Sequence, residues 1–173
     1  MTTNIQQEKL QDIYAALVSL LKKEGNSDFS ISLLCQKAGV SRAFFYKHFQ
    51  TFDDVFVQAE TQNILSYLRT LPHKDKYLFS TTMSSYFKFL RSNRDVYLNL
   101  VNAGKETVLK KTFRQTFIYL VKNDMLKISP NGKARQKYWS VFLSGGVVNA
   151  AVQWLEGGCI ESPEQMSKLL TFL

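Results

Sequence analysis

Cysteine and histidine are scarce in this chain of 173 residues. Its two cysteines, Cys35 and Cys159, match neither the spacing of a zinc site nor a small disulfide framework. Such cysteine usage is typical of a reducing cytoplasm, which is the expected location. The two histidines, His48 and His73, lie too far apart to form a metal-binding pair on one helix. We therefore expect no metal and no cofactor.

Motifs of catalysis and of membrane insertion are also missing. The chain has no glycine-rich phosphate loop and no nucleophile elbow, so an enzyme is not expected. The N-terminus, MTTNIQQEKLQD, lacks the charged-then-apolar order of a secretion signal. Residues 138–155 carry no formal charge, but serine, asparagine and glutamine interrupt the run. We interpret it as a core or interface helix and expect no membrane association.

What the chain does contain is apolar and basic side chains. Apolar residues make up 45% of the sequence, enough to bury a core, and the formal net charge is +8. A basic excess favours acidic partners such as nucleic acid. However, residues 1–50 hold six Lys and Arg against four Asp and Glu, and the rest hold sixteen against ten. The charge alone therefore does not locate a DNA-binding surface.

Apolar side chains recur every three or four residues along most of the chain, which is the period of an amphipathic helix. No stretch shows a sustained alternation of apolar and polar residues. The expected fold class is therefore all-α, with about nine helices. With their capping residues, the predicted helices cover 5–23, 30–38, 41–49, 51–71, 75–92, 95–103, 105–126, 133–157 and 163–173.

Two short helices joined by a tight turn are predicted between residues 30 and 49. Ser30 and Ser41 are polar residues suited to cap their first turns, and Gly39 breaks the first helix. This order is typical of a helix-turn-helix, whose second helix enters the major groove of DNA. Thr51, followed three residues later by Asp54, predicts a capped start for the next helix.

Helical spacing separates the side chains of the second helix into two sides. Phe45 and Phe49 are four residues apart and should face the first two helices. The outward residues are predicted to be Arg42, Ala43, Tyr46 and Lys47. Arg42 is the first candidate for base reading, because a guanidinium group can bond guanine O6 and N7 together. Ala43 and Phe44 are candidates for contacts with thymine methyl groups.

The stretch FSISLLCQKAGVSRAFFYKHFQTFDDVF resembles the DNA-binding domain of the tetracycline-repressor (TetR/AcrR) family of transcriptional regulators. The resemblance rests on the Ser30 cap, the turn 38–41 (AGVS) and the pattern of 45–49 (FYKHF), and it covers about residues 7–60. The ending SGGVVNAAVQWLEGGCIESPEQMSKLL resembles the C-terminal segment of one family subgroup. Phe44 and Phe52 depart from the family pattern, which usually has a small or hydroxyl residue and often a lysine at these places.

The resemblance implies a set of DNA contacts. Tyr46 and His48 match a recurring pair that donates to phosphates, with Lys47 adding a charge, and Ser30, Ser41 and Thr51 lie at helix starts that favour phosphate oxygens. The predicted DNA-binding residues are Ser30, Ser41, Arg42, Ala43, Phe44, Tyr46, Lys47, His48 and Thr51. The alternative for Tyr46 and His48 is that they are ordinary surface residues.

The resemblance also implies the organisation of the chain. Residues 1–52 would form the helix-turn-helix domain, and residues 53–173 a helical domain for effector binding and dimerisation. The implied function is a repressor that binds a palindromic operator in double-stranded DNA as a homodimer and is released by a small-molecule effector. One alternative is a co-activator, or a regulator controlled by a partner protein. A weaker one is a helical protein that binds a small molecule without a DNA function.

Two further sets of residues are predicted in the C-terminal domain. Small residues recur on one face of the 133–157 helix, where they would let a partner helix approach closely. The predicted dimer interface is Ser140, Ser144, Val147, Ala151 and Trp154; its alternative is packing inside the monomer. Aromatic residues are frequent in the middle helices, and most must be core. The predicted effector pocket is Tyr86, Phe89, Phe113, Phe117, Trp139 and Phe142.

Overall fold

The computed structural model describes residues 2–24, 29–70, 76–127 and 138–170. Within these ranges the chain forms nine α-helices and no β-strand, which confirms the predicted fold class. The helices are α1 (Thr2–Glu24), α2 (Ile31–Lys37), α3 (Arg42–His48), α4 (Phe52–Thr70), α5 (Phe79–Ser92), α6 (Arg94–Asn102), α7 (Glu106–Lys122), α8 (Trp139–Glu156) and α9 (Pro163–Leu170). None of these helices is long and apolar enough to cross a membrane.

Most of the predicted helices appear with bounds shifted by a few residues. The largest observed differences are at α5, which was expected from residue 75 and begins at Phe79, and at α7, which was expected to reach residue 126 and ends at Lys122. Asp124 takes a positive φ of 52°, which stops the helix, and the backbone then pairs with Tyr77 in a short bridge. Residues 133–137, predicted as the start of α8, lie outside the described residues.

Helices α1, α2 and α3 form an N-terminal head. α1 packs against α2, and α2 packs against α3. The side chains between them are apolar: Ile13, Leu17, Leu34 and Phe45 are almost completely buried. These contacts hold the short helices, which at seven residues each are too short to be stable alone.

The larger C-terminal part is a layered bundle of α4–α9. α7 lies between α4 and α8, and α5 packs along α9. Phe87 of α5 is fully buried and meets the Trp154 ring of α8 edge-on at 5.3 Å. α4 also packs against α1, so one helix belongs to both parts of the molecule.

The predicted dimer face of α8 points into this bundle. The side chains of Ser140, Ser144, Val147, Ala151 and Trp154 are all buried within the single chain. The small side chains of Ser140 and Ser144 let α7 approach closely, and Arg114 of α7 donates to the Ser140 hydroxyl at 3.4 Å. The alternative of packing inside the monomer is the one the structure supports. The opposite side of α8, with Val141 and Phe142, is exposed.

The core also contains a buried acid. Glu60 of α4 is 1% exposed, and its Oε2 accepts a hydrogen bond from the Tyr97 hydroxyl of α6 at 2.8 Å. Burial disfavours the charged carboxylate and raises the pKa of Glu60 to about 7 from its ordinary 4.5, although the hydrogen bond from Tyr97 opposes this. The folded chain therefore keeps this proton to a higher pH than the unfolded chain does.

This difference predicts a stability that falls as pH rises. Between the unfolded pKa of 4.5 and the folded pKa of about 7, the unfolded state binds fewer protons, so its formation becomes easier. The free energy of unfolding should drop by about 3 kcal/mol across this window. Urea unfolding at a series of pH values measures it.

The variant Glu60→Gln should remove this contribution, because an amide does not titrate. Exposed Glu161 supplies the control, since Glu161→Gln should keep the wild-type slope. Parallel pH profiles for wild type and Glu60→Gln would contradict the assignment.

Candidate nucleic-acid interface

The helix-turn-helix is fixed by hydrogen bonds at its helix ends. The Ser30 hydroxyl accepts from the Leu33 amide at 3.1 Å, and the Ser41 hydroxyl accepts from the Phe44 amide at 3.0 Å. Both caps were predicted and are confirmed. Between them Gly39 takes a φ of +65°, a conformation that glycine adopts without a steric penalty. The sequence thereby sets the angle between α2 and α3.

Helix α3 has one buried side and one exposed side. Phe45 is fully buried and Phe49 nearly so, which confirms that these rings anchor the helix to the head. The exposed residues of α3 are Arg42, Ala43, Tyr46, Lys47 and His48. An exposed helix side carrying two cations, a phenol and an imidazole provides donors for phosphates and base edges.

Two contacts orient the donors on this exposed side. The Tyr46 ring packs edge-on against buried Phe45, with the ring centroids 5.5 Å apart. The Arg42 guanidinium lies over the Tyr46 ring at 6.0 Å from its centroid, at the limit of a cation–π contact. Arg42 and Tyr46 are therefore supported from beneath by the core of the head.

Phe44 does not share the exposed side with Ala43. Its ring is half-buried between α1 and the end of α3, with the Lys9 ammonium 4.8 Å above it and the His48 ring at 4.6 Å. The expectation of a thymine contact from Phe44 is thus not favoured by its position. The Phe44 ring instead contacts Lys9 of α1 and the His48 ring at the end of α3.

Phe52, the other departure from the family pattern, is part of the core of the head. Its ring lies 4.9 Å from Phe29 and 6.5 Å from Phe45. A lysine here could not make these contacts without burying its charge or leaving the cluster. The aromatic residue adds apolar packing between α3 and α4.

The junction between α3 and α4 depends on one carboxylate. Asp54 accepts hydrogen bonds from the amides of Gln50 and Thr51 at 3.2 and 3.0 Å, and its own amide donates to the Thr51 hydroxyl at 3.2 Å. This reciprocal cap confirms the predicted start of α4. Partial burial opposes ionisation, but the hydrogen bonds from Thr51, Lys111 and Gln50 outweigh it and hold the pKa of Asp54 below its ordinary value.

Two ion pairs join this junction to α7. Lys111 lies 3.3 Å from Asp54, and Lys105 lies 3.2 Å from Asp53. Exposed ion pairs of this kind stabilise little by themselves. Their position matters more, because they connect the junction that follows α3 to the N-terminal half of α7 in the C-terminal bundle.

The predicted effector residues divide into two groups. Tyr86, Phe113 and Phe117 line one internal cavity between α4, α5 and α7, whereas Phe89 packs against the rings of Tyr67 and Tyr97. The rings of Trp139 and Phe142 lie 5.2 Å apart near the start of α8, where Phe142 is exposed and Trp139 is half-buried against the core. Phe89, Trp139 and Phe142 therefore do not line this cavity. Aromatic spacing alone did not distinguish core, cavity and surface rings.

The cavity itself is small. Its volume is about 30 Å³, whereas pockets for drug-sized ligands measure about 300–1,000 Å³. Its lining is apolar and aromatic apart from Thr82 and Thr116. Within the described residues no group of three or more His, Cys, Asp and Glu side chains is arranged to hold a metal ion.

Comparison with known proteins matches both parts of the chain. Residues 13–59 match the family described as bacterial regulatory proteins, tetR family, and residues 79–173 match one described as transcriptional regulator C-terminal region. No curated protein matches significantly. Among solved structures, NalD of Pseudomonas aeruginosa, the secondary repressor of the MexAB-OprM multidrug efflux pump, is 15% identical with a TM-score of 0.40. The alignment covers 95% of this chain and 93% of NalD.

The junction generates a prediction about local stability. Asp54→Ala removes the acceptor for the Gln50 and Thr51 amides, so these amides should exchange their hydrogens faster, and the protein should lose about 1 kcal/mol of stability. Hydrogen exchange read by NMR or mass spectrometry measures the change.

Asp53→Ala is the matched control, because it removes the ion pair with Lys105 and leaves the Asp54 acceptor of those amides in place. Exchange at residues 50 and 51 should stay at the wild-type rate in this variant. Equal acceleration in both variants would show that the carboxylate of Asp54 does not hold the junction.

Proposed function

We propose that this chain, which belongs to the TetR family of bacterial regulatory proteins, is a transcriptional repressor. It binds a palindromic operator as a homodimer and leaves the operator when a small ligand enters its core. Family membership makes it a DNA-binding transcriptional regulator and not an enzyme. The observation that carries the proposal is the exposed row of donors on the capped, aromatic-anchored helix α3. Residues 1–52 are proposed as the reading domain and 53–173 as the effector and dimerisation domain.

The roles of the reading residues follow from their positions. Arg42, at the N-terminal end of α3, reads a base edge, and Ala43 beside it is small enough to meet a thymine methyl group. Tyr46, Lys47 and His48 lie further along the exposed side and donate to phosphates. The ring stacking between Phe44 and His48 fixes the imidazole for this contact.

The helix starts at Ser30 and Ser41 are proposed as phosphate contacts, since the positive end of a helix dipole favours an anion. The start of α4 differs. There the carboxylate of Asp54 already holds the amides of Gln50 and Thr51, so an approaching phosphate meets a negative charge. The Thr51 hydroxyl also donates to this carboxylate at 3.0 Å, so a phosphate contact from Thr51 would require that hydrogen bond to break.

Dimerisation is proposed through the outer face of α8 together with α9. Phe142 is 67% exposed, and Val141 and Leu169 are also exposed apolar side chains. Adjacent Gly145 and Gly146 each reduce helix stability by about 1 kcal/mol relative to alanine. A Cβ atom at either position would meet nothing within 4 Å in this chain. The absence of side chains is instead suited to a second helix that approaches from outside.

Release by a ligand is proposed to act through α4. The cavity holds a volume of about 30 Å³, so any organic ligand must separate α4 from α5 and α7 to enter. The N-terminus of α4 is bound to α3 by the Asp54 cap and to α7 by Lys111. Movement of α4 would therefore change the position of the reading helix and the spacing of the two heads in a dimer.

The alternative, control by a partner protein, is favoured by one observation. Val141, Phe142 and Leu169 form exposed apolar surface that a partner could cover instead of a second copy. The oligomeric state separates the two proposals. A dimer covers this surface, whereas a stable monomer of 19.9 kDa leaves it for another protein.

DNA binding is tested by selecting sequences from a random duplex pool. Arg42→Ala should lose preference at one base position in each half-site, at a cost of about 1–3 kcal/mol per site, because the bidentate contact is removed. Tyr46→Phe should weaken binding to all sequences alike, since a phosphate contact carries no base information.

Exposed Lys122 is the last residue of α7, outside the helix-turn-helix, and supplies a control. Lys122→Ala should leave sequence preference unchanged. If the wild-type protein selects no sequence from the pool, the proposed repressor function fails.

The dimer interface is tested by a charge on the outer face of α8. Phe142→Asp should convert the dimer to a monomer, because a carboxylate buried against apolar side chains is costly. Sedimentation at micromolar concentration distinguishes a 19.9 kDa species from one of twice that mass. Tyr119→Asp changes an exposed ring on α7 and should leave the dimer intact. A wild-type monomer, or a dimeric Phe142→Asp variant, would refute the interface.

A further inference from the structure

A lysine of α1 lies over an aromatic ring of α3. The Lys9 ammonium is 4.8 Å from the centroid of the Phe44 ring, which is close enough for a cation–π contact. Among the described residues no carboxylate lies within ion-pair distance of Lys9, although Glu8 and Asp12 are its neighbours on α1. The ring therefore orients this positive charge, and no described acid neutralises it.

Several other lysines are engaged differently. Lys76, Lys88, Lys105, Lys110 and Lys111 each pair with a carboxylate. To bind an anion from outside, these lysines would first have to give up a partner of opposite charge. The lysine over the Phe44 ring has no such competitor among the described residues, because an aromatic face attracts a cation without cancelling its charge.

Phe44 lies between two of the proposed phosphate contacts. Its amide donates to the Ser41 hydroxyl at 3.0 Å, and its ring centroid lies 4.6 Å from that of the His48 ring. Steps of three and four residues place all three side chains along one side of α3. Phe44 has no polar side-chain atom, so it offers a phosphate no donor of its own. Lys9 of α1 supplies a positive charge at that place.

The first turns of α1 run beside this side of α3. Gln6 and Gln7 are exposed and line a groove of about 200 Å³ together with Phe44 and His48. Lys9 is half-buried, and a lysine can lay its apolar stem on the protein while its ammonium stays in water. α1 therefore presents polar side chains and one oriented cation next to the imidazole that is proposed to donate to a phosphate.

We propose that Lys9 binds the DNA backbone as a further phosphate contact and that Phe44 is the residue that positions it. The inference rests on the proposed binding of DNA through α3, and it adds α1 to the surface that contacts the duplex. Phosphates follow one another closely along each strand, so a head that places His48 on one of them brings its neighbouring side chains near the same strand. An ammonium already held over a ring loses less freedom on binding than one on a mobile stem.

The salt dependence of DNA binding tests the contact. Each phosphate that a cation neutralises contributes about −0.9 to the slope of log K against log salt concentration. Lys9→Gln should therefore make the slope less negative by about 0.9 for each bound head. The change should be the same on a selected operator and on an unrelated duplex, because a phosphate contact carries no base information. Fluorescence anisotropy of labelled duplexes between about 50 and 200 mM salt measures the slope.

Two further variants separate a phosphate contact from other effects of the substitution. Lys9→Arg keeps both the charge and the cation–π contact, so it should retain the wild-type slope. Lys122→Gln removes the same charge from the end of α7, outside the helix-turn-helix, and should also retain that slope. A wild-type slope in Lys9→Gln, or an equal change of slope in Lys9→Gln and Lys122→Gln, would overturn the contact.

A double-mutant cycle tests the positioning role of Phe44. Phe44→Leu keeps an apolar side chain but removes the aromatic face beneath the Lys9 ammonium. The fold-loss of affinity caused by Lys9→Gln should then be smaller in the Phe44→Leu protein than in wild type, by at least about twofold. Any effect of Phe44→Leu on His48 is present in both proteins of that comparison and cancels. Additive losses would show that Phe44 does not position Lys9.

The same measurements distinguish failure of this contact from failure of the DNA function. A wild-type protein that binds duplex DNA with the slope of Lys9→Gln keeps its DNA function and lacks only the contact from α1. A wild-type protein that binds no duplex at all refutes the DNA-binding surface of α3 and the Lys9 contact together.

Discussion

The Asp54 carboxylate is the interaction on which the geometry of this molecule depends. It accepts the amides of Gln50 and Thr51 where α3 has ended and α4 begins, and it pairs with Lys111 of α7. One group thus sets the angle between α3 and α4 and connects both helices to the C-terminal bundle. The aromatic cluster of Phe29, Phe45 and Phe52 fills the space beneath this junction and makes it rigid.

Local signals in the sequence were sufficient to predict the structure of the N-terminal head. The caps at Ser30, Ser41 and Thr51 involve residues three positions apart, and the inward rings Phe45 and Phe49 follow from helical spacing, so no knowledge of distant contacts was needed. Predicting which side of α8 is buried required knowledge of distant contacts. Its two sides are both apolar, and the small residues such as Ser140 and Ser144 turned inward because α7 packs there. Periodicity predicts which side chains share one side of a helix, but it does not predict which helix packs against that side.

Glu60 was missed because a single acid within a helix is usually solvent-exposed. A signal was nevertheless present: Glu60 lies four residues from both Phe56 and Ile64 and so is in phase with the buried stripe of α4. Its partner Tyr97 is 37 residues away, on α6, and that pairing could not be read from spacing. The same limit applies to the cavity, where Tyr86, Phe113 and Phe117 meet only because α5 and α7 both pack near α4.

The tight packing around the cavity has a consequence for the dose of ligand to which such a regulator responds. Under the proposed release by a ligand, a cavity of about 30 Å³ makes the ligand-competent arrangement a minor state, and the apparent dissociation constant is the intrinsic one divided by the fraction in that state. Each tenfold reduction of that fraction requires a tenfold higher ligand concentration. In that proposal, the volume of the side chains around Phe113 sets the ligand concentration at which the protein responds, without altering the contacts that would recognise the ligand.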